Sequence, residues 1–317
     1  MAAELRWHAM GTDAHVIVVG GSPALAEHAR GRIDRLETLW SRFLPESEVS
    51  RLNSAAGTFM EVSDETLLLL ERALDGWRIS AGAFDATMLD AVIAAGYDRT
   101  FDELASLEGH DTDAQVACRF ASLRDGGGAP IEIRSTMACV REGAGFDSGG
   151  IGKGLAADLV VAELLERGAR GACVNLGGDL RVAGQSPERD GWTVGIDHAW
   201  SETPVALVGV GNGAVATSTT LKRRWLAGGE WRHHLIDPRS GLPSDSDLNH
   251  VTVIAAEAWV AEVLAKAVLL NGSEFAFNII GGTGAEALAV DDAGRVMASE
   301  GFAAYLGDAE LPISVAC

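Results

Sequence analysis

The chain lacks any apolar run approaching the ~20 residues that cross a bilayer, so no membrane insertion is expected. Its first residues, MAAELRWHAMGTD, carry Glu4 and Arg6 where a signal peptide has its apolar stretch, and a cytoplasmic location is the expectation. Cysteine is scarce. Cys118, Cys139, Cys173 and Cys317 lie far apart and form no CxxC, which excludes a disulfide framework and fits reduced thiols. Positive charge is short as well: 25 Lys and Arg face 45 Asp and Glu, a net charge of -20. A surface of that sign repels nucleic acid and anionic membranes, so neither is expected as a partner. Lysine is rarest of the basic residues. Only Lys153, Lys222 and Lys266 occur, and the other 22 of the 25 are arginine. Codon usage is the bland explanation, but three retained lysines in so arginine-rich a chain are worth reading individually.

What is present is ordinary for a globular protein. The 317 residues are 47% hydrophobic and 22% charged, enough to bury a large core without staples, which excludes a disordered or fibrous chain. Residues 1–317 read as a single domain. The β-branched run 14–19 predicts a strand, and Ser22-Pro23 opens a helix to Trp40, with Leu25, Ala29, Ile33, Leu36 and Trp40 at helical spacing. A polar loop with Pro45 follows, then a second helix introduced by Ser63. Residues 98–128 carry a weak signal and read as irregular connections. IEIR (131–134) and ACVR (138–141) predict a hairpin, and a helix over 155–167 is stopped by Gly168. Short strands then dominate: ACVNL, WTVGID, VALVGV, WRHHLID and HVTVIA. A helix over 257–270 and a hairpin around Asp292-Ala293-Gly294 close the chain. Without a regular βα alternation, the pattern predicts an α+β fold.

The Gly-rich run Gly149-Gly150-Ile151-Gly152-Lys153-Gly154 leads into a helix, where close backbone approach and free N–H groups attract phosphate. It is neither a P-loop nor a dinucleotide fingerprint, and alone it reads more as an ordinary tight turn than as a site. NLGGD (175–179) adds two glycines and a carboxylate at a strand end. HHLIDPRSGLP (233–243) adds two histidines beside an Asp-Pro turn. A histidine serves as general acid or base near neutral pH, and two adjacent ones in a strand point to opposite faces, so at most one faces a site. Together these segments exceed what turn chemistry alone requires.

AMGT (9–12), SRFLPESEVSRLN (41–53), GAFDAT (82–87), FDSGGIGKGLAADLV (146–160), NLGGD (175–179), ATS (216–218) and HHLIDPRSG (233–241) stand in one order along most of the chain. In these blocks the sequence resembles the ApbE-type FAD:protein FMN transferases. The resemblance implies an ApbE-type fold with two intertwined sheet-containing lobes and FAD between them. It implies FAD as substrate, cleavage of its pyrophosphate, and transfer of FMN to a Ser or Thr hydroxyl of an acceptor flavoprotein with release of AMP. Two alternatives are an FAD pyrophosphatase giving FMN and AMP, and a non-catalytic FAD-binding protein. By matching position, Met10, Phe43, Ala83, Phe84, Asp85, Asp147, Lys153 and Ile236 should contact FAD, and His234 should be the base that takes the acceptor's proton. Without that match, Phe43 and Phe84 read as core aromatics, and Asp85 and Asp147 as turn or cap residues. His233 reads as the non-catalytic neighbour. His8, His15, His28, His110, His198 and His250 show no clustering that would suggest metal ligands.

The resemblance also implies Mg2+ held against the pyrophosphate by an Asp-x-x-x-Thr pattern and by a backbone carbonyl near Gly150. Here the stretch is Ala261-Glu262-Val263-Leu264-Ala265-Lys266, with Glu for Asp and Lys for Thr. A longer carboxylate and a cationic neighbour both disfavour Mg2+. The expectation is that Lys266 supplies part of the metal's charge, with Glu262 orienting it. The bland reading is an i,i+4 surface pair worth about 0.2–0.5 kcal/mol. The ATS block departs too, continuing with Thr219 and Leu221 where the family often has Gly and Tyr.

Overall fold

The computed structural model describes residues 2–106, 130–188, 191–198, 200–227, 229–307 and 314–315. Seven helices occur among them: α1 (Pro23–Trp40), α2 (Glu48–Ser54), α3 (Asp64–Ile79), α4 (Leu89–Ala94), α5 (Phe101–Ala105), α6 (Gly152–Glu166) and α7 (Ala258–Asn271). The chain forms two compact units. One holds Met1–Arg35, Lys153–Thr219 and Ser246–Cys317, and the other Leu36–Gly152 and Thr220–Asp245.

The first unit is built on a nine-stranded sheet. Its order is Ala2–Ala9, Thr12–Val19, Gly171–Leu176, Asp179–Gly184, Gly213–Thr219, Leu248–Ala255, Glu286–Asp291, Val296–Ala298 and Ser314–Val315, antiparallel except for the last pair. All eight residues of Leu248–Ala255 are buried, as suits a central strand covered on both faces. Helix α7 packs on this strand and on Gly213–Thr219. Its first N–H groups, on Ala258 and Trp259, donate to the Asp158 carboxylate of α6 at 2.9 and 3.0 Å, a cap borrowed from another helix. The hairpin Trp192–Ile196/Ala206–Val210 packs with sheet residues Leu180, Val182, Val215, Ile254 and Leu288 in a separate apolar cluster.

The second unit holds α2 to α5, a three-stranded sheet of Met60–Glu61, Met137–Val140 and Ile131–Arg134, and two small hairpins, Arg224–Ala227/Glu230–His233 and Ile236–Asp237/Leu242–Pro243. Its core includes Met88, Val92, Tyr97, Leu104, Trp225 and Ile236.

Most expected elements are present, and the differences have local causes. The segment read as a polar loop contains α2, because Ser47 accepts the Ser50 N–H as N-cap and Val49 and Leu52 bury a short apolar face. Strand Ala2–Ala9 was not expected, although Ala3, Leu5, Trp7 and Ala9 alternate with Glu4, Arg6 and His8. Its neighbour Thr12–Val19 covers only one edge. WRHHLID is not one strand: it breaks at His234. Within 98–128 a capping box between Thr100 and Glu103 starts α5, while 107–129, with His110 and Cys118, and also Cys317 lie outside the described residues. Cys139 and Cys173 are buried free thiols, and burial pushes the Cys173 thiol up to about 12. Among the described residues no helix is long and apolar enough to cross a membrane.

Candidate functional site

In the sheet unit, side chains far apart in sequence converge on one buried carboxylate. Helix α6 starts directly after the Gly149-Gly150 turn, as the Gly-rich run predicts. A Cβ on Gly154 would stand 2.4 Å from the Ala258 carbonyl oxygen, so only glycine lets the first turns of α6 and α7 meet there. That contact brings the Gly154 N–H to 2.8 Å from Glu262 Oε2 and the Lys153 Nζ to 2.8 Å from Glu262 Oε1. Lys266, one turn further along α7, sets its Nζ 3.3 Å from the same Oε1. Lys153 also donates to Asp179 Oδ2, and Asp179 Oδ1 accepts the Thr217 N–H at 3.3 Å. Asp179 is delivered by the two-residue turn Gly177-Gly178, whose φ values of 67° and 101° suit glycine, and Asn175 Oδ1 ties that turn through the Gly178 N–H.

The quartet Lys153, Asp179, Glu262 and Lys266 is therefore not a surface pair. Side-chain exposure is 5% and 1% for the carboxylates and 15% and 13% for the lysines. Burial pushes the Asp179 carboxyl up, with Lys153 opposing. Burial pushes Glu262 the same way, but Lys153 and Lys266 outweigh it and hold that carboxyl below its usual range. Burial draws the Lys266 ammonium down against the pull of Glu262.

This donor set does not fit the magnesium that the resemblance implies. Mg2+ requires oxygen ligands in a near-octahedral shell at about 2.0–2.1 Å. Both Glu262 oxygens already accept N–H donors, and a dication at Oε1 would sit beside two ammonium groups. Among the described residues no group of three or more His, Cys, Asp or Glu gathers where it could hold a metal. Gly150 closes the short 3-10 turn Ser148–Gly150.

The sheet unit also holds Met10. It forms the turn between the first two strands with Gly11, at φ 53° and 65°, so a non-glycine residue occupies the left-handed region there. The Gly177 N–H donates to Asp13 O at 3.0 Å, which sets the AMGT turn beside NLGGD.

The second unit gathers the remaining expected residues. Asp147 caps the Ser148–Gly150 turn through the Gly149 N–H at 2.9 Å and lies 3.3 Å from Arg42 Nε. The Arg42 guanidinium stacks over Phe43 and Tyr97, 4.1 and 4.7 Å from the ring centroids, and donates to the Tyr97 carbonyl at 2.9 Å. Phe43 and Ile236 pack into one cluster with Tyr97 and Trp225. Burial raises the Tyr97 hydroxyl's pKa. Asp85 Oδ1 accepts the Thr87 N–H and hydroxyl at 2.8 and 2.6 Å, a turn role, while Phe84 is buried behind Ala83. The Asp147 N–H donates to Ala86 O, joining that loop to FDSGG.

The two adjacent histidines differ in their surroundings. His233 Nδ1 accepts the Leu235 N–H at 3.3 Å, so its proton is on Nε2 and donates to the Ser244 carbonyl at 3.1 Å. Burial lowers its pKa, which keeps it neutral. His234, half-buried, sits on the bend that His233 thereby fixes.

Comparison with known proteins bears on the family and the fold. The model of the ApbE family matches residues 10–289. The chain belongs to the ApbE family. It is 30% identical to the FAD:protein FMN transferase of Treponema pallidum, over 92% of this chain and 85% of that protein. It is 28% identical to one from Klebsiella pneumoniae, over 78% and 76%. The crystal structure of the ApbE protein from Thermotoga maritima superposes with a TM-score of 0.81 at 25% identity, covering 97% of this chain and all of that one. The flavin transferase ApbE of Vibrio cholerae, at 21% identity and a TM-score of 0.77, shares the fold.

Within this ApbE-family chain, the expected residues fall into two groups. Met10, Lys153, Glu262 and Lys266 lie in the sheet unit, and Phe43, Ala83, Phe84, Asp85, Asp147, Gly150, His234 and Ile236 in the other. Sequence reasoning missed Asp179 and Arg42 as members. Each sits inside a quoted block: the carboxylate ending NLGGD and the arginine that is second in SRFLPESEVSRLN. It also missed Asn53, which clamps the Phe146 backbone with two hydrogen bonds of 2.8 Å and so ties two blocks together.

Proposed function

We propose that this chain transfers FMN from FAD to a Ser or Thr hydroxyl of an acceptor flavoprotein, releasing AMP. The observation that carries the reading is its 30% identity to an FAD:protein FMN transferase across 92% of its length. In the reaction the acceptor oxygen attacks the FMN phosphorus, an O–P bond forms, and the pyrophosphate bond to AMP breaks. The acceptor's proton goes to His234, and AMP leaves with the bridging oxygen. Such transfer depends on positioning and charge neutralisation more than on covalent help. Two features support His234 as the base: its bend is held by the His233 bonds on one side and by Ile236–Asp237 on the other.

In the same reading Phe43, Ala83, Phe84, Asp85, Asp147 and Ile236 bind the flavin nucleotide, with Arg42 positioning Phe43 and Asp147. Met10 presents its side chain from a turn whose strained φ glycine would relieve. Residues 1–317 work as one transferase domain. The acidic charge and the free thiols support a cytoplasmic location.

The test is an FAD turnover assay with a Thr-bearing acceptor peptide, following AMP and peptide mass. Native protein is expected to add FMN to the peptide with equimolar AMP. His234→Ala should bind FAD unchanged and lose about 10²–10⁴-fold in rate. AMP without a mass gain would replace this reading by an FAD pyrophosphatase, and bound FAD without AMP would replace it by a binding protein.

A further inference from the structure

The quartet has an outside and an inside. Its carboxylates are sealed, at 5% and 1% exposure, whereas the two lysine side chains keep 15% and 13%. What exposure remains in the cluster belongs to the lysine side chains. Every strong acceptor in the cluster is engaged. Glu262 Oε1 takes both ammonium groups, Oε2 takes the Gly154 N–H, and Asp179 takes Lys153 and the Thr217 N–H. Two ammonium groups against two carboxylates balance without any further cation. Lys153 and Lys266 lie 113 positions apart and are two of only three lysines in the chain, yet they meet at one oxygen.

We infer that this cluster is a built-in diphosphate site: the paired Lys153 and Lys266 ammonium groups bind the FAD pyrophosphate, and Lys266 makes a divalent cation unnecessary. The inference rests on the FMN transferase reading for the identity of the diphosphate. The physical argument does not depend on that identity. Lysine is a compact point charge suited to phosphate oxygens. A pair of them pinned by a common buried carboxylate is oriented before the ligand arrives, so little side-chain freedom is lost on binding. Glu262 has the positioning role. The same two ammonium groups that favour a diphosphate repel a magnesium ion at Glu262.

Four measurements on this chain decide it. Mn2+ titrated into the native chain and followed by electron paramagnetic resonance should remain free, with and without FAD. FAD affinity, read by flavin fluorescence, should change less than about twofold between excess chelator and added Mg2+. Lys266→Met, which keeps the stem and removes the charge, should weaken FAD binding about tenfold or more in chelator. The double variant Lys266→Thr with Glu262→Asp should weaken it similarly in chelator and recover with Mg2+. Should the double variant fail to fold, Lys266→Met and the Mn2+ titration decide alone. Stoichiometric Mn2+ uptake by the native chain, or loss of FAD affinity in chelator, would overturn the inference while leaving the transferase reading intact. If native protein binds no FAD in either buffer, both fall.

Discussion

The two units bury positive charge in opposite ways. In the sheet unit, Lys153 and Lys266 are held by carboxylates, with Glu262 shared between them and Asp179 behind Lys153. In the other unit, Arg42, at 6% side-chain exposure, pairs with the Asp147 carboxylate and is further held by two aromatic faces and a backbone carbonyl. The difference follows from the cations. An ammonium is compact and strongly hydrated and needs full charges to leave water, while a planar guanidinium is weakly hydrated and can lie on rings. Two of the chain's three lysines thus stand where several donors converge on one carboxylate.

The strongest way to break the comparison is to remove the shared carboxylate. Glu262→Ala leaves two ammonium groups and the Gly154 N–H without their common acceptor. It should destabilise the fold by about 3–5 kcal/mol in urea unfolding. A smaller loss, near that of an exposed pair, would show that water reaches the quartet.

Next is the cap between the two helices that carry the quartet. Burial pushes the Asp158 carboxyl up to about 6, against the Ala258 and Trp259 N–H groups and Arg181. Its unfolded value is near 3.8, so between the two pH values the folded state holds the extra proton. The contribution to stability is full below about pH 3.8 and is lost as pH rises through 6, a change of about 3 kcal/mol at most. Asp158→Asn should remove that slope from the stability profile between pH 4 and 7. An unchanged slope would assign the titration elsewhere.

Arg42→Lys tests the other region. An ammonium cannot span Asp147, the Tyr97 carbonyl and two rings, so a loss of about 2 kcal/mol is expected, together with weaker FAD binding. Equal stability would mean that the rings do not distinguish the two cations.

The smallest effect has the opposite sign. Met10→Gly should stabilise the hairpin by about 1 kcal/mol, because glycine takes φ 53° without strain. FAD affinity should fall in the same variant. Gain of stability with unchanged affinity would remove Met10 from the binding residues.

Much of this was legible locally. Pro23 and Trp40 bound α1 as the helical spacing indicates, Ser63 caps α3 through the Thr66 N–H, and the hairpin at Ser135 turns where Ser-Thr-Met interrupts the apolar residues. The Gly-rich run opens a helix, and Lys266 donates to Glu262 one turn away. Helix α2 escaped notice because its seven residues give too short a period, and strand Ala2–Ala9 because its apolar side is only half covered. Asp179 and Arg42 escaped because their ion-pair partners lie 26 or more positions away and no spacing rule connects them.

By itself, then, the sequence determined most of the elements, the α+β class, the family and the presence of two anomalous residues, Glu262 and Lys266, at one helical spacing. Whether that pair was a solvated surface contact or part of a buried charge cluster was decided only by tertiary structure. Lys153 reaches Glu262 across 109 positions, and it does so because a glycine lets two helices touch on a sheet that seals the carboxylates from water. Burial and convergence belong to the packed molecule, and the strength of a charge depends on both.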